Sequence, residues 1–383
     1  MNRRYFLLSS VGAIASVALV NGGLDWQEEI QRAKESRIEE IVNDPSVTLR
    51  HLADKAGIDI GAGGICRNPF YRDLDYKKII AMEFTSLTPA DAMSFAIIHP
   101  RMGYGDERDY NFEHADAMLE FAEANKMRIR GQTLVYHNHH PEWLNRGSFN
   151  NEELTRIMEE HIYRVVGRYK GKLFAWDVVN EIFESIPVFQ NISDYIPLAF
   201  QFAHKADPSA RLFLNDNHNE GMNKKSDAIY ELAKELLKRN IPLHGIGFQM
   251  HVSLLYPPDL KGIRKNIRRL GKLGLDVHIT EMYVKTDTID APVDEKFKRQ
   301  ADIYRDITKV CLDEEACTSL ATWGVTDRHS RKWQTMNQQD RLKWRLKWQT
   351  MNQQEKPLLF DEDYRAKPSY FAVKRGLAES YTS

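Results

Sequence analysis

Leu275-Asp276-Val277-His278-Ile279 is a run of strand length that is apolar at most positions, as suits a parallel strand buried on both faces. Thr280-Glu281 closes it. Runs of the same kind recur at 57–61, 81–87, 127–135, 173–179, 210–215, 243–249 and 318–325. Amphipathic stretches lie between most of them, at 111–126, 151–169, 191–206, 222–239, 257–273 and 292–312. Eight strands alternating with helices predict an α/β fold, a (β/α)8 TIM barrel forming a single catalytic domain. An open doubly wound sheet uses the same alternation but usually carries a glycine-rich phosphate turn. Gly61-Ala62-Gly63-Gly64 is the candidate for that turn. It lacks the full spacing and has no acidic partner about twenty residues on, so it reads as a flexible turn after the first strand.

The chain has 383 residues, with 53 basic and 54 acidic side chains and a formal net charge of -1. A nucleic-acid partner calls for a basic surplus against phosphates, and there is none. The balance gives no support to a membrane-binding polybasic face either. Fractions of 42% hydrophobic and 28% charged residues are those of a globular chain, which argues against disorder and collagen-like repeats.

Arg3 and Arg4 precede Tyr5, Phe6 and Leu7 and a mostly apolar run that ends at Val20. The run is too short to cross a bilayer comfortably, so residues 1–22 read as a twin-arginine-like export signal, with a periplasmic or extracellular protein expected. The bland alternative is a helix that begins with two arginines. Residues 23–50 read as a helical lead-in, with Ile30, Ile38 and Ile41 at helical spacing, and residues 51–383 as the barrel. Lys332-Trp333-Gln334-Thr335-Met336-Asn337-Gln338-Gln339 recurs from Lys347 to Gln354, a local duplication at 332–354 that lengthens the loop after the last strand. Trp333, Trp344 and Trp348 in this stretch are read as sugar-stacking rings or as an accident of the duplication. Three cysteines rule out a disulfide scaffold. Cys311 and Cys317 flank an acidic turn and are open to two readings, a bridge or two free thiols, and Cys66 reads as a small packed residue.

Two glutamates stand at strand ends. Glu181 closes Trp176-Asp177-Val178-Val179-Asn180-Glu181, and Glu281 closes His278-Ile279-Thr280-Glu281. In a barrel such ends face the active site. Glycoside hydrolysis requires two carboxyl groups across a cleft, one to protonate the leaving oxygen and one to attack carbon or activate water. Either glutamate alone is more often a salt-bridged or surface residue. Two at equivalent strand ends, four strands apart, are far less accidental.

From about residue 50 to residue 378 the chain resembles glycoside hydrolase family 10, the endo-1,4-β-xylanase family, as a divergent member. Besides the two glutamate motifs, the resemblance rests on Arg130-Gly131-Gln132-Thr133-Leu134-Val135-Tyr136-His137, Leu214-Asn215-Asp216, Gly247-Phe248-Gln249-Met250-His251, Trp323-Gly324-Val325-Thr326-Asp327 and Lys367-Pro368-Ser369-Tyr370. It implies a retaining double displacement without cofactor or metal. Glu181 would be the acid/base and Glu281 the nucleophile, their carboxyl groups about 5 Å apart. Asn180 would bind the sugar's 2-hydroxyl, His251 would hydrogen-bond the nucleophile, and Gln249 would line the same floor. His137, Gln132 and Tyr136 would shape the glycone side, and Trp323 would be the platform under the sugar. Some members also carry a disulfide where Cys311 and Cys317 stand. The expected partner is a polysaccharide or oligosaccharide, bound by a monomer.

The departures from the family cluster on the glycone wall. The usual Glu-Asn-x-x-Lys-Trp is Ala90-Asp91-Ala92-Met93-Ser94-Phe95. Gln132 replaces a histidine and Tyr136 a tryptophan. Tyr283 stands in place of the aspartate two residues past the nucleophile, Arg331 in place of a second tryptophan, and Asn217 in place of an aromatic. Sites built on hydroxyl-directed hydrogen bonds discriminate strongly, so an altered substrate is expected. The rival readings are a glycosidase for another plant-type glycan, a non-catalytic sugar-binding barrel, and a metal hydrolase built on His137-Asn138-His139-His140 with His251, His278 or Asp327. Retention of both glutamates argues against the binding protein. His278 precedes its strand end, and His137 already has a family role, which argues against the metal site.

Overall fold

The structure, a computed structural model, describes residues 25–103, 107–183, 188–329 and 355–382. The expected export signal, Arg331 and the duplicated stretch lie outside the described residues. The strands are β1 (Asp59–Ile65), β2 (Ser86–Pro89), β3 (Arg128–Tyr136), β4 (Ala175–Asn180), β5 (Arg211–Asp216), β6 (Gly245–Phe248), β7 (His251–Ser253), β8 (Asp276–Lys285) and β9 (Cys317–Trp323). They pair in parallel in the order β6-β5-β4-β3-β2-β1-β9-β8, and β6 also pairs with β8, so the sheet closes into a barrel of eight. The short β7 pairs with the far half of β8, His251 opposite Tyr283.

Helices Glu113–Ala124, Asn151–Arg168, Tyr195–Ala206, Lys224–Lys238, Leu260–Gly271 and Val293–Asp313 coincide, to within a few residues at each end, with the six amphipathic stretches of the sequence. Two begin with a capping box, Asn150 with Glu153 and Asn223 with Ser226, which satisfies end N–H groups that have no partner inside the helix. Helix Asp25–Asn43, the lead-in, packs on the last helix, where Arg375 pairs with both Glu35 and Glu39.

Two boundaries differ from the sequence reading. Gly61, Gly63 and Gly64 are not a turn but lie inside β1. There is no room for side chains there: a Cβ on Gly61 would lie 2.7 Å from the Cβ of Ala321, and one on Gly63 would lie 2.6 Å from the Thr322 carbonyl. The second run, 81–87, is split between helix Leu74–Glu83 and β2. Asp73 caps that helix by accepting from the Tyr76 N–H at 3.1 Å. Glu83 ends it buried, accepting from the Leu49 N–H at 2.9 Å and the Tyr370 hydroxyl at 3.0 Å.

Cys311 and Cys317 form a disulfide that ties helix Val293–Asp313 to β9. Cys66 is a free thiol whose pKa burial pushes up to about 12, the behaviour of a packed residue.

Beneath the site, a charged layer crosses the barrel. Arg130 of β3 forks onto Asp177 of β4, with Nε 3.0 Å from Oδ2. Its Nη1 donates to His278 Nδ1 of β8 at 2.8 Å, and its guanidinium lies 4.6 Å from the Phe213 ring of β5. Burial, and then the Arg130 charge, hold His278 well below the usual histidine pKa, so it serves as a neutral acceptor. Arg130→Leu leaves a buried carboxylate without its cation and is expected to cost about 3–5 kcal/mol, measured by denaturant unfolding.

Candidate active site

All the carboxyl ends of the strands open on one face, and seven of the nine expected site residues meet there in one hydrogen-bonded system, with His137 beside it, its Nε2 3.8 Å from Glu181 Oε2. Two local irregularities aim the glutamates. The β8–β9 register shifts between Ile279 and Met282, so Thr280 and Glu281, although consecutive, both reach the interior. Past Asn180 the backbone turns at Glu181, which adopts a left-handed φ of 52° and brings its carboxyl group over Gln249.

Glu281 is the more enclosed, with its side chain 5% exposed against 17% for Glu181. Its Oε1 accepts from Gln132 Nε2 at 3.0 Å and Asn215 Nδ2 at 2.9 Å, and its Oε2 lies 3.2 Å from His251 Nε2. Glu181 Oε1 accepts from Gln249 Nε2 at 2.9 Å, and Oε2 accepts from the Tyr136 hydroxyl at 2.9 Å, with His137 Nε2 3.8 Å away. Asn180 Oδ1 accepts from Asn215 at 2.8 Å and from Gln249 at 3.4 Å. The two glutamates are thus linked through Asn215, Asn180 and Gln249. Trp323 stands apart from this system at the end of β9, against Gly64, where a Cβ would lie 3.0 Å from the indole.

Asn215 and Thr280, which stand within the family motifs, also belong to this system. Thr280 Oγ1 donates to Asn215 Oδ1 at 2.7 Å, which orients the amide so that its nitrogen can serve both Asn180 and Glu281. The available signal was an asparagine at the end of a buried strand, in register with Asn180. Gly247 makes the space: a Cβ there would lie 2.2 Å from Asn215 Oδ1.

Tyr283 stacks on the His251 ring, centroids 4.5 Å apart, so an aromatic face covers the imidazole where the family usually places a carboxylate. Burial, followed by nearby Glu355 and Glu281, pushes the Tyr283 hydroxyl pKa up and keeps it neutral. The histidines of the rival metal reading diverge. His137 faces Glu181, the His139 carbonyl accepts from the Ala96 N–H, and His140 is buried edge-on to Phe95 and Phe189. Among the described residues no group of three His, Cys, Asp or Glu side chains is placed to hold a metal ion.

The stretch 90–95 is largely buried. Phe95 stacks on His161 with centroids 3.7 Å apart, and Asp91 pairs with Arg67 at 2.9 Å. Burial lowers the pKa of His161 well below the ordinary value of 6.5 and that of His140 to about 4.

A parallel barrel with two hydrogen-bonded glutamates, one just past β4 and one in β8 beyond its last pairing with β6, defines a glycosidase of the two-carboxylate kind. The pattern of Glycosyl hydrolase family 10 matches residues 48–375, and the chain belongs to that family. It is 36% identical over 349 residues to endo-1,4-beta-xylanase B of Thermotoga neapolitana, covering 87% of this chain and 92% of that one. Its fold superposes with a TM-score of 0.78 on native xylanase 10B of Thermotoga maritima, at 36% identity over 88% of this chain and 99% of that one. The same figures hold for xylanase 10B of Thermotoga petrophila, solved in complex with xylobiose.

Asn215→Ala removes both donations and is expected to lower kcat/KM on an aryl glycoside by roughly 10²-fold in steady-state kinetics. The buried imidazoles bind protons less readily folded than unfolded, so the stability they contribute is complete above about pH 6.5 and is lost as pH falls toward about 4. His161→Phe keeps the ring stack and is expected to flatten that loss, read as unfolding free energy between pH 7 and pH 4.

Proposed function

We propose that the protein is a retaining glycosidase that cleaves β-1,4-linked xylan-type chains by double displacement. Glu281 is the nucleophile and Glu181 the acid/base. The observation that carries this assignment is the unequal surroundings of the two carboxyl groups. Three donors fix the enclosed Glu281 as an acceptor pointing at one place, as attack on carbon requires. Glu181 has one donor on each oxygen and more access to solvent, as a group that gives up and regains a proton requires.

In the first step the Glu281 carboxylate bonds to the anomeric carbon, while the bond to the glycosidic oxygen breaks and that oxygen takes the Glu181 proton. In the second, Glu181 removes a proton from water, the water oxygen bonds to the anomeric carbon, and the Glu281 ester breaks. Asn180, its carbonyl already engaged, offers its NH2 to the sugar's 2-hydroxyl. Gln132 and His251 hold the nucleophile, Gln249 and Tyr136 hold the acid/base, His137 lines the glycone side, and Trp323 supports the ring.

The relatives named as endo-1,4-beta-xylanases, and the xylobiose complex in particular, support xylan as the substrate class. The buried stretch 90–95 supports a glycone end that differs from that of a plain xylanase. We also propose that residues 1–22 export the protein, that residues 51–383 are its single catalytic domain, and that it acts as a monomer.

Two variants test the roles. Glu281→Ala is expected to lose on the order of 10⁵-fold or more in kcat. Glu181→Ala is expected to keep activity on aryl β-xylosides with good leaving groups and, with azide added, to release the β-xylosyl azide. Substantial turnover by Glu281→Ala would overturn the assignment. Rates on unsubstituted xylan, mixed-linkage glucan and aryl β-xylosides test the altered glycone end, which ordinary xylanase rates on plain xylan would contradict.

A further inference from the structure

We infer that Tyr136 is a positioning residue whose hydroxyl controls when Glu181 holds its proton. The inference rests on the reading of Glu181 as the acid/base. The family resemblance places a tryptophan at this position, so the hydroxyl belongs to this chain's own chemistry.

The geometry is specific. Tyr136 ends β3, and its hydroxyl donates to Glu181 Oε2 at 2.9 Å, while Gln249 Nε2 donates to Oε1 at 2.9 Å. Each carboxylate oxygen therefore has one donor of its own. The His137 ring packs edge-on against the Tyr136 ring, centroids 4.4 Å apart, and holds the phenol in place. Burial and then the Glu181 charge push the phenol's pKa well above its ordinary value, so the hydroxyl stays a donor across the working range. The other charged or titratable groups around Glu181 are His137 at 3.8 Å, Asp216 with its Lys225 partner at 2.7 Å, and Glu281 and His251 across the cleft.

A hydrogen bond donated to a carboxylate favours its charged form. The Tyr136 hydroxyl thus stabilises the anion that forms as the proton passes to the leaving oxygen. Removing the hydroxyl makes the proton harder to lose, so the alkaline limb of kcat/KM moves up.

The test compares pH profiles of kcat/KM on an aryl β-xyloside with a poor leaving group. Tyr136→Phe is expected to move the alkaline limb up by about one pH unit, with the acid limb in place. Site-specific Tyr136→3-fluorotyrosine, a stronger donor of nearly the same size, is expected to move it down. This second variant decides the matter if Tyr136→Phe folds poorly. An alkaline limb unmoved by either substitution overturns the inference. Glu181→Ala is run alongside. If it keeps the wild-type alkaline limb, the acid/base reading of Glu181 fails. If it loses that limb while the Tyr136 variants do not move it, only the role of Tyr136 fails.

Discussion

One amide group ties the site together. Asn215 Nδ2 serves Asn180 on β4 and Glu281 on β8 at once, and it can do so only because Thr280 holds Oδ1 and fixes which end of the amide faces inward. Closure of the sheet between β6 and β8 makes that reach possible. In an open sheet the two glutamates would stand at distant strands, and no single side chain could span them. The charged layer below, Arg130 with Asp177 and His278, crosses the same interior and sets the floor on which the amides rest. Because every member of both layers has a partner, the carboxyl groups are held before any substrate arrives, which is where much of the catalytic effect of such sites originates.

The two sides of the cleft are built differently. The reacting side stands on strand ends, with short polar side chains in a closed network. Beside it, the short helix Phe95–Ile98 and the loop after β3 are held by ring contacts, Phe95 stacked on His161 and edge-on to His140, and His140 edge-on to Phe189.

The fold was legible because buried parallel strands write themselves as apolar runs, and helix ends carry their own caps. The exceptions have local causes. The glycines of β1 look like a turn in sequence, but they mark the places where neighbouring strands leave no room for a Cβ. Ala81 and Met82 are apolar enough to extend a strand, but the Asp73 cap and the buried Glu83 hold them in a helix. Within the site, the strand-end glutamates and their motif neighbours were readable. The work of Asn215 and Thr280 was not, because it depends on which residues share a layer once the barrel closes. The Tyr136 hydroxyl was read as part of the sugar pocket. Its bond to Glu181 follows from the left-handed turn at Glu181, which no sequence pattern announces.

The central claim is that Glu281 attacks carbon and Glu181 manages the proton, so that two displacements leave the anomeric configuration as it began. The direct measurement is the configuration of the first-formed product, followed by proton NMR during early hydrolysis of a β-linked xylo-oligosaccharide before mutarotation sets in. The account predicts that the β-anomer appears first and the α-anomer only later. An α-anomer formed first would mean a single displacement by water and would contradict the assignment of Glu281 as nucleophile.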